Sequence, residues 1–516
     1  MAAAAATTTF EDPGRMKGAA LTADAMKTLD ESMDENPEAR TLAGIVPRVP
    51  AVDALNSFEA LSGDPHLFSH TVSKDVSVTS QHSTGRCWIF AALNCVRAAM
   101  VHRYGLPSTF ELSQAHVFYW DKLERANWFL HSVWDSAGEG ADSRVMQHLL
   151  SSPSEDGGQW AMLTAIIEKH GLMPKSQFPD LVHGRASATL NGALNAKLRE
   201  FAGSLVSLKK DGGSDADAQG MIGGMMGVVH RTVTTCLGRP PAVVDFEYRP
   251  QGGKGLVCAR GMTPLAFYRD IVKPCFDFSA YVSVVHDPRP EHPVGSIMTV
   301  AKLGSVVASP FPVRYINATP RTLKELVIGC LTDDIPVWFG CDVGKSLHRA
   351  RGVLSLANYD FAGVLGVCRC MSKEDRIRYK HSLMTHAMTF SGYHVPSSAT
   401  SMADFVPASS AKKAPAAASG DAEAGDDAAA SEDKASPPAV DDVSRFRVDN
   451  SWGNKGDGSG RLSMTSAWFD EYVYQIAVHK DRLPADMRAL VEADADVIVL
   501  PPWDPLGALA EGTSLC

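Results

Sequence analysis

The sequence predicts an α+β fold in which helices dominate the chain up to about residue 335 and strands follow. Apolar residues fill almost every position of residues 88–101, and a helix that is apolar on all sides is typically buried. Farther along, Phe446, Val448 and Asn450 alternate along one face of a strand. Between these two regions, residues 185–335 carry mainly helical patterns with turn-rich breaks. The fold class is therefore a mixture of helical and β parts.

Length and composition are typical of a globular protein, and the net charge gives no reason to expect that it binds nucleic acid. The chain has 516 residues, with 45% hydrophobic and 21% charged residues, which is enough for one large core or for two to three domains. The net charge of −10 gives no global reason to expect nucleic-acid binding. No apolar run approaches the roughly 18 residues of a membrane span, so we expect no membrane association.

The N-terminus and the cysteines favour a cytoplasmic location. The first ten residues lack the basic and Leu-rich regions of a secretory signal peptide, and Glu11 and Asp12 follow at once. Ten cysteines scattered over a chain of this length do not suggest a disulfide scaffold. Cys368 and Cys370 are one residue apart, which is a weak zinc signal without a second pair. We expect a reducing compartment, with no metal and no cofactor.

One polar turn, at residues 81–87, has the features of a site for a nucleophile. It contains Gly85 and ends at Cys87, where the predicted buried helix begins. Free backbone N–H groups and the helix dipole favour a thiolate at such a position. Gln81 lies close enough in sequence to donate its amide to an oxyanion formed at Cys87. The alternative is that Cys87 is a small buried hydrophobe, as most buried cysteines are.

Gly157 and Gly158 mark a loop before a predicted helix at residues 160–170, which Gly171 would end. Paired glycines allow another chain to approach the backbone closely, as a bound peptide does. The alternative is an ordinary loop before a helix, and the residues alone favour neither interpretation. Upstream, Ser113 is a good N-cap for a second helix that runs to about residue 133.

His386 and Asn450 are the candidate partners of Cys87. His386 opens an apolar, strand-like run, where a histidine is more often structural than catalytic, and the chain has 17 histidines. Asn450 ends the predicted strand and is followed by Ser-Trp-Gly, a context that also suits a turn residue. An imidazole beside Cys87 would convert the thiol to a thiolate and would protonate a leaving amine.

Together these motifs resemble papain-like cysteine peptidases. The form Ser-Thr-Gly-Arg-Cys-Trp-Ile-Phe at residues 83–90 resembles one branch, that of bleomycin hydrolase and bacterial aminopeptidase C, and residues 111–125 and 500–510 resemble the same branch. The resemblance implies a two-lobe fold with a helical lobe and a β-barrel-like lobe. The order Cys, His, Asn matches papain-like enzymes. The resemblance assigns catalysis to four residues: Cys87, His386, Asn450 and Gln81.

The resemblance also assigns substrate contacts and an insertion. Gly157 and Gly158 would line the cleft and hydrogen-bond the peptide backbone of the substrate, and Trp452 would shield the contact between the histidine and the asparagine. Papain-like His and Asn usually lie about 130–150 residues after the Cys, so the position of His386 means that roughly 150 residues are added here. Relatives carry a largely helical region at this point, which drives assembly into a homohexamer.

These segments divide the chain into parts. Residues 406–440 are rich in Ala, Ser, Pro, Gly and charged residues and contain no aromatic residue, so they cannot bury enough apolar surface to fold. We expect a flexible N-terminal arm (1–45), a helical lobe with the nucleophile (46–185), a mainly helical oligomerisation insertion (186–335), a β lobe with His and Asn (336–500) that a disordered insertion interrupts (398–441), and a tail that reaches the cleft (501–516).

The tail predicts the type of substrate. In relatives the C-terminal arm lies in the cleft and blocks its non-primed side, and its carboxylate receives the free amino group of the substrate. The resemblance thus implies an aminopeptidase whose substrates are peptides and small amides with a free N-terminus. Ala510 matches the end of the relatives' arm. Residues 511–516 run past that end, and we expect the enzyme to trim its own tail.

Two other functions stay open on the sequence alone. One is a nucleic-acid-binding hexamer, since some relatives are said to bind DNA or RNA, although the acidic balance argues against it. The other is an endopeptidase with an open cleft, which would cleave N-blocked peptides. Neither the physiological substrate nor the role of the insertion at 398–441 follows from the sequence, because peptide turnover, detoxification by amide hydrolysis and homocysteine thiolactone hydrolysis fit one cleft.

Overall fold

The computed structural model describes residues 21–58, 65–73, 75–251, 253, 255–368, 370–396, 436–454, 460–492 and 496–509. They form two compact units, of which the smaller consists of the N-terminal residues up to 58 together with residues 359–370. The larger unit contains the rest, including every described candidate site residue. The predicted insertion at 398–441 lies outside the described residues except for its last six.

The helices of the described chain are α1 (Ala23–Glu35), α2 (Pro37–Ile45), α3 (Ala51–Leu55), α4 (Cys87–Tyr104), α5 (Gln114–Ser136), α6 (Arg144–Ser151), α7 (Trp160–His170), α8 (Val182–Arg185), α9 (Ala188–Lys210), α10 (Asp215–Leu237), α11 (Pro264–Phe267), α12 (Pro320–Thr332), α13 (Phe361–Leu365), α14 (Lys373–Arg378), α15 (Ser466–Tyr472) and α16 (Ala485–Glu492). The strands are β1 (His70–Thr71), β2 (Val244–Tyr248), β3 (Val257–Met262), β4 (Tyr281–Val285), β5 (Ile297–Val300), β6 (Tyr315–Asn317), β7 (Val337–Cys341), β8 (Leu347–His348), β9 (Val353–Leu354), β10 (His386–His394), β11 (Arg445–Asp449), β12 (Arg461–Thr465), β13 (Val473–His479) and β14 (Val497–Leu500).

The N-terminal segment, expected to be a flexible arm, is helical over residues 23–45. The Thr22 hydroxyl caps α1 by accepting a hydrogen bond from the amide of Ala25, and the side chain of Asn36 caps α2. Neither helix has a buried residue. Local capping signals therefore give this segment helical structure, which the argument from its composition did not detect.

The buried helix predicted after Cys87 is α4. It ends at Gly105, which has the left-handed φ of 63° that a glycine adopts readily. The Ala91 carbonyl accepts a hydrogen bond from the Thr389 hydroxyl of β10 at 2.9 Å, and the Trp88 carbonyl accepts one from the Trp338 indole of β7 at 3.2 Å. Helix α4 is thus fixed to the middle of the sheet.

The sheet holds twelve strands in the order β14-β5-β6-β4-β13-β7-β10-β11-β12-β9-β8, with β1 paired to β10. Its central strands β13, β7, β10 and β11 pair antiparallel. All nine residues of β10 are buried, so the sheet is covered on both faces there. A separate hairpin joins β2 and β3.

The described part of residues 186–335, expected to be a mainly helical insertion, contains strands as well as helices. Helices α9, α10, α11 and α12 lie within this range, but β2 and β3 form a hairpin there and β4, β5 and β6 join the main sheet. Strand β4 pairs with β13, almost two hundred residues away, in a register that joins Tyr281 to His479. Strands β5 and β6 are only four and three residues long and depend on partner strands, so local sequence patterns identify them poorly.

Two further findings concern cysteines and membranes. Cys368 and Cys370, the weak candidate zinc pair, form a disulfide bond. Within the part of the chain that the structure describes, no helix has the length and apolar character needed to cross a bilayer, and no group of three or more His, Cys, Asp or Glu residues is arranged to hold a metal ion.

Candidate active site

Cys87 is the first residue of α4 and is fully buried. The preceding residue, Arg86, is also buried, and its guanidinium donates to the Asp180 carboxylate at 2.6 Å. This ion pair neutralises the arginine beside the thiol. The helix N-terminus, with its backbone N–H groups and dipole, would stabilise a thiolate at Cys87.

The first residue of β10, His386, lies at the same end of the sheet as Cys87. It stands opposite Cys341 in the β7–β10 pairing. Burial first, and then the charges of Asp342 and Cys87, raise the pKa of the Cys341 thiol well above its ordinary value, so Cys87 is within electrostatic range of Cys341. The contacts of α4 with Thr389 and Trp338 described above lie farther along the same two strands. The structure therefore brings the start of α4 to the start of β10.

The imidazole of His386 is oriented by Asn450. Nε2 lies 2.9 Å from the Asn450 Oδ1, an oxygen that also accepts the backbone N–H of Ser451 at 2.8 Å. Because Oδ1 only accepts, Nε2 carries the proton and donates it, which leaves Nδ1 as the basic nitrogen. Nδ1 is buried and has no hydrogen-bond partner among the described residues. The Trp452 ring lies 5.1 Å from the imidazole, centroid to centroid.

Gln81 is held next to Asn450 by a short pairing of two loops. Its backbone N–H donates to the Ser451 carbonyl at 2.7 Å, and its side-chain oxygen accepts from the Ser451 hydroxyl at 2.6 Å. Its amide nitrogen donates to the Thr84 carbonyl at 2.6 Å. A side-chain NH₂ group has two hydrogens, so one N–H of Gln81 remains for another acceptor.

Gly157 and Gly158 are buried in a loop that lies against α4. A Cβ atom added to Gly158 would stand 2.7 Å from carbon atoms of the Trp88 ring, which is too close for two carbon atoms. Only glycine, which has no Cβ, fits at this position. The Trp88 indole donates to the Asp156 carbonyl at 2.7 Å. Gly158 is therefore required at least in part by its close packing against Trp88.

The tail is anchored by a buried ion pair. The Arg289 guanidinium donates through both terminal nitrogens to the Asp504 carboxylate, at 2.8 and 2.9 Å, and it also pairs with Asp287. Breaking a buried pair by removing one partner typically costs about 3–5 kcal/mol, because the other charge is left buried. The position of Asp504 in the fold is therefore strongly fixed.

Beyond this anchor the tail runs to the loop with the paired glycines. The Leu506 carbonyl accepts a hydrogen bond from the Tyr315 hydroxyl at 3.2 Å. Two residues later, the Ala508 carbonyl accepts one from the Gln159 side chain at 2.6 Å. Gln159 directly follows the glycine pair, so the tail reaches the segment proposed to bind substrate. Ala510 and residues 511–516 lie outside the described residues.

A cavity of about 200 Å³ lies beside the end of the described tail. Its lining includes Ala508 and Leu509 of the tail, Phe129 of α5 and Met162 of α7. The tail thus forms part of the wall of this cavity.

Several site residues were not identified from the sequence. Asp156, Gln159 and Ser451 lie directly beside the residues that the sequence motifs identify, namely Gly157, Gly158 and Asn450. Their roles depend on contacts with Gly85, Ala508 and Gln81, each far away in the chain. The one available signal was a charged residue directly before a glycine pair in a buried loop.

Known proteins match both the sequence and the structure. Residues 20–405 and 429–507 match the Peptidase C1-like family. Bleomycin hydrolase of Mus musculus is 34% identical over 500 residues, which is 96% of this chain and all of the relative. Aminopeptidase C of Listeria monocytogenes is 34% identical over 95% of this chain and 99% of the relative. The crystal structure of PepW from Lactobacillus rhamnosis HN001 has a TM-score of 0.83 and 33% identity, covering 95% of this chain and all of that one.

The fold and these matches define a cysteine peptidase with the papain-like fold. The chain belongs to the Peptidase C1-like family, and it is a hydrolase of the cysteine-type aminopeptidase class. The two matched segments leave out residues 406–428, which lie inside the predicted insertion at 398–441.

If Gln81 donates to an oxyanion formed at Cys87, replacing it with alanine is expected to lower kcat roughly 10²–10³-fold. Ser451→Ala removes only the hydroxyl that orients this glutamine, so its effect should be smaller. Alkylation of Cys87 by iodoacetamide forms no oxyanion and should keep its wild-type rate in both variants. Steady-state kinetics on an amino-acid amide and alkylation rates test this, and a parallel loss of alkylation would contradict the assigned role.

Proposed function

We propose that this aminopeptidase removes N-terminal residues from peptides and hydrolyses small amides by acyl transfer to Cys87. The observation that carries the proposal is the orientation of His386. Its Nε2 donates to Asn450, its Nδ1 is buried without a partner among the described residues, and it begins the strand beside the start of α4. A neutral imidazole held with one basic nitrogen free is what a thiol nucleophile requires.

The chemistry follows from these positions. His386 Nδ1 takes the proton of the Cys87 thiol, and the thiolate sulfur forms a bond to the carbonyl carbon of the substrate. The oxyanion is held by the remaining N–H of Gln81 and by the backbone N–H of Cys87, each worth roughly 3 kcal/mol. The imidazolium protonates the leaving amine as the C–N bond breaks. Water then attacks the thioester with the same imidazole as base, and Cys87 is regenerated.

Substrate contacts form the second part of the proposal. The backbone of Gly157 and Gly158 would pair with the peptide backbone of the substrate, and the half-buried Trp452 ring would keep water away from the contact between His386 and Asn450. The close approach of the tail to Gln159 supports a cleft that is closed on its non-primed side. The end of the tail, near Ala510, would then receive the free amino group of the substrate.

Shortening the tail is expected to change the specificity. A chain that ends at Leu506 keeps the Asp504 anchor but loses the contact of Ala508 with Gln159, so it should cleave N-acetylated substrates that the full protein does not. A chain that ends at Ala510 serves as the matched control and should cleave only free N-termini. Rates on paired free and acetylated amides test this, and an unchanged preference in the shorter chain would contradict the closed cleft.

Residues 511–516 are expected to be removed by the enzyme itself. If they stayed, they would run past the end of the arm towards Cys87. Intact mass of the purified protein should therefore show a shortened wild type and a full-length Cys87→Ala variant. A wild type that retained all six residues would contradict this expectation.

Product analysis tests the proposed function. A short peptide with a free N-terminus should lose its residues one at a time from that end, as followed by mass spectrometry under reducing conditions. Early products from internal cleavage would favour an endopeptidase instead. Assembly into a homohexamer and a cytoplasmic location are further proposals, which native mass and fractionation test.

A further inference from the structure

Asp156 is a buried carboxylate that none of the catalytic steps above uses. Its side chain is in contact with donors from three separate parts of the chain. Oδ2 accepts the backbone N–H of Gly85 at 3.0 Å and the hydroxyl of Ser187, and Oδ1 accepts the Lys122 ammonium and the Asn191 amide, each at 2.8 Å. Four donors saturate a carboxylate, so this group is fully bound within the fold.

The charge of Asp156 is retained in the interior. Burial alone would raise the pKa of the carboxyl, but the Lys122 ammonium and the hydrogen bonds from Ser187 and Gly85 outweigh burial and hold the pKa well below its ordinary value. The group is therefore ionised at neutral pH. A fixed negative charge facing a backbone N–H makes a strong, charge-assisted hydrogen bond.

That backbone N–H connects Asp156 to the candidate oxyanion donor. The Gly85 nitrogen and the Thr84 carbonyl belong to one peptide group. Asp156 accepts from its nitrogen, and the Gln81 amide donates to its oxygen at 2.6 Å. A peptide group polarised at the N–H by a carboxylate has a more strongly accepting carbonyl. The carboxylate and the glutamine thus hold the two ends of the same peptide, immediately before the nucleophile.

We propose that Asp156 is a positioning residue that sets the orientation of Gln81 through the Thr84–Gly85 peptide, and thereby the geometry of the oxyanion site. The inference rests on the proposed function, because it gives Gln81 its role. It extends to α9, since Ser187 and Asn191 at the start of that helix supply two of the four donors to Asp156. Helix α9 would then help to position Gln81 through its contacts with Asp156.

Asp156→Asn is the test variant, because it keeps the shape of the side chain and removes the charge. We expect kcat to fall roughly 100-fold, the penalty of a slightly misplaced catalytic group, while KM stays nearly constant. Iodoacetamide should alkylate Cys87 at the wild-type rate, because that reaction needs no oxyanion donor. Loss of the buried pair with Lys122 lowers thermal stability in either case, so the discriminating result is the alkylation rate, which a residue with only a structural role would slow together with kcat.

A double-mutant cycle with Gln81→Ala gives the sharper readout. If Asp156 acts through Gln81, the double variant should be no slower than Gln81→Ala alone. Additive losses would overturn the proposal, as would a loss of alkylation in Asp156→Asn. An inactive wild type would overturn the proposed function and this inference together, whereas an active wild type with additive losses would overturn the positioning role alone.

A milder pair of variants covers the case in which Asp156→Asn does not fold. Asn191→Ala removes one donor to Asp156, and we expect a smaller fall in kcat with unchanged alkylation. Asn195→Ala is the matched control. Asn195 lies one turn later on α9 and is half-buried, like Asn191. Its side-chain oxygen accepts a hydrogen bond from the backbone N–H of Ser154 and not from a group that binds Asp156. Equal kinetics in the two variants would overturn the proposal.

Discussion

Cys87→Ala is expected to lower kcat by about 10⁶-fold, which is the effect of removing a nucleophile from a site that acts as a unit. The reason is that no other group at the start of α4 can form the acyl intermediate. Cys95 provides a matched control, because it is a buried cysteine on the same helix. Burial raises the pKa of its thiol to about 12, so it is not a thiolate at neutral pH.

Three measurements separate these two cysteines. Cys95→Ala should retain wild-type kinetics, and iodoacetamide followed by peptide mapping should label Cys87 and leave Cys95 unmodified in the folded protein. The labelled protein should be inactive. Substantial activity in purified Cys87→Ala would contradict the assignment of the nucleophile, and loss of activity in Cys95→Ala would show that packing within α4 had been underestimated.

His386→Ala is expected to cost about 10⁴-fold in kcat, the upper range for the loss of a general acid–base group. His394, at the other end of β10, is the matched control, because it is also buried on the same strand. Its replacement by alanine should leave kcat close to that of the wild type. Comparable losses in the two variants would mean that damage to β10, rather than removal of the base, lowered the activity.

The pH dependence tests the same histidine. Burial lowers the pKa of His386 to about 4, and the hydrogen bond with Asn450 partly opposes that shift. A protonated imidazole cannot accept the proton of Cys87, so kcat/KM should fall as the pH decreases through about 4. Asn450→Ala removes the hydrogen bond that raises the pKa of His386, so the fall in kcat/KM should move to lower pH. If kcat/KM of the folded protein instead fell near the ordinary histidine pKa of about 6.5, this account would be contradicted.

The stability of the fold has to be followed in the same experiment. Because the folded-state pKa of His386 is depressed, the unfolded chain binds more protons between about pH 6.5 and 4. Folding stability is therefore expected to decrease as the pH falls through this window. Circular dichroism at each pH distinguishes the loss of catalysis from unfolding.

Much of the local structure was predicted because its signals are local. The Ser113 cap and the stop at Gly171 gave the start of α5 and the bounds of α7, and the apolar run after Cys87 gave α4. Strands such as β5 and β6 were missed. They are three or four residues long and are stabilised by pairing with each other and with β14 and β4, so no periodic pattern within them identifies a strand.

The residues of the candidate site likewise include some that local motifs identify and some that they do not. Gln81, Cys87 and Asn450 stand in motifs that identify them by residue type and spacing. No motif identifies Asp156, because its role depends on contacts with Gly85, 71 residues earlier in the chain, and with the start of α9. Contacts over such separations are created by the packing of elements, so they become visible only in the folded structure.

The most direct test of the central claim uses one fluorogenic amino-acid amide, with its N-terminus free and then acetylated, under reducing conditions. Wild-type protein should cleave the free form and not the acetylated form, and Cys87→Ala should cleave neither. Cleavage of both forms by the wild type would contradict a cleft closed by the tail. Cleavage of neither would contradict the assignment of peptidase activity to the site formed by Cys87, His386 and Asn450.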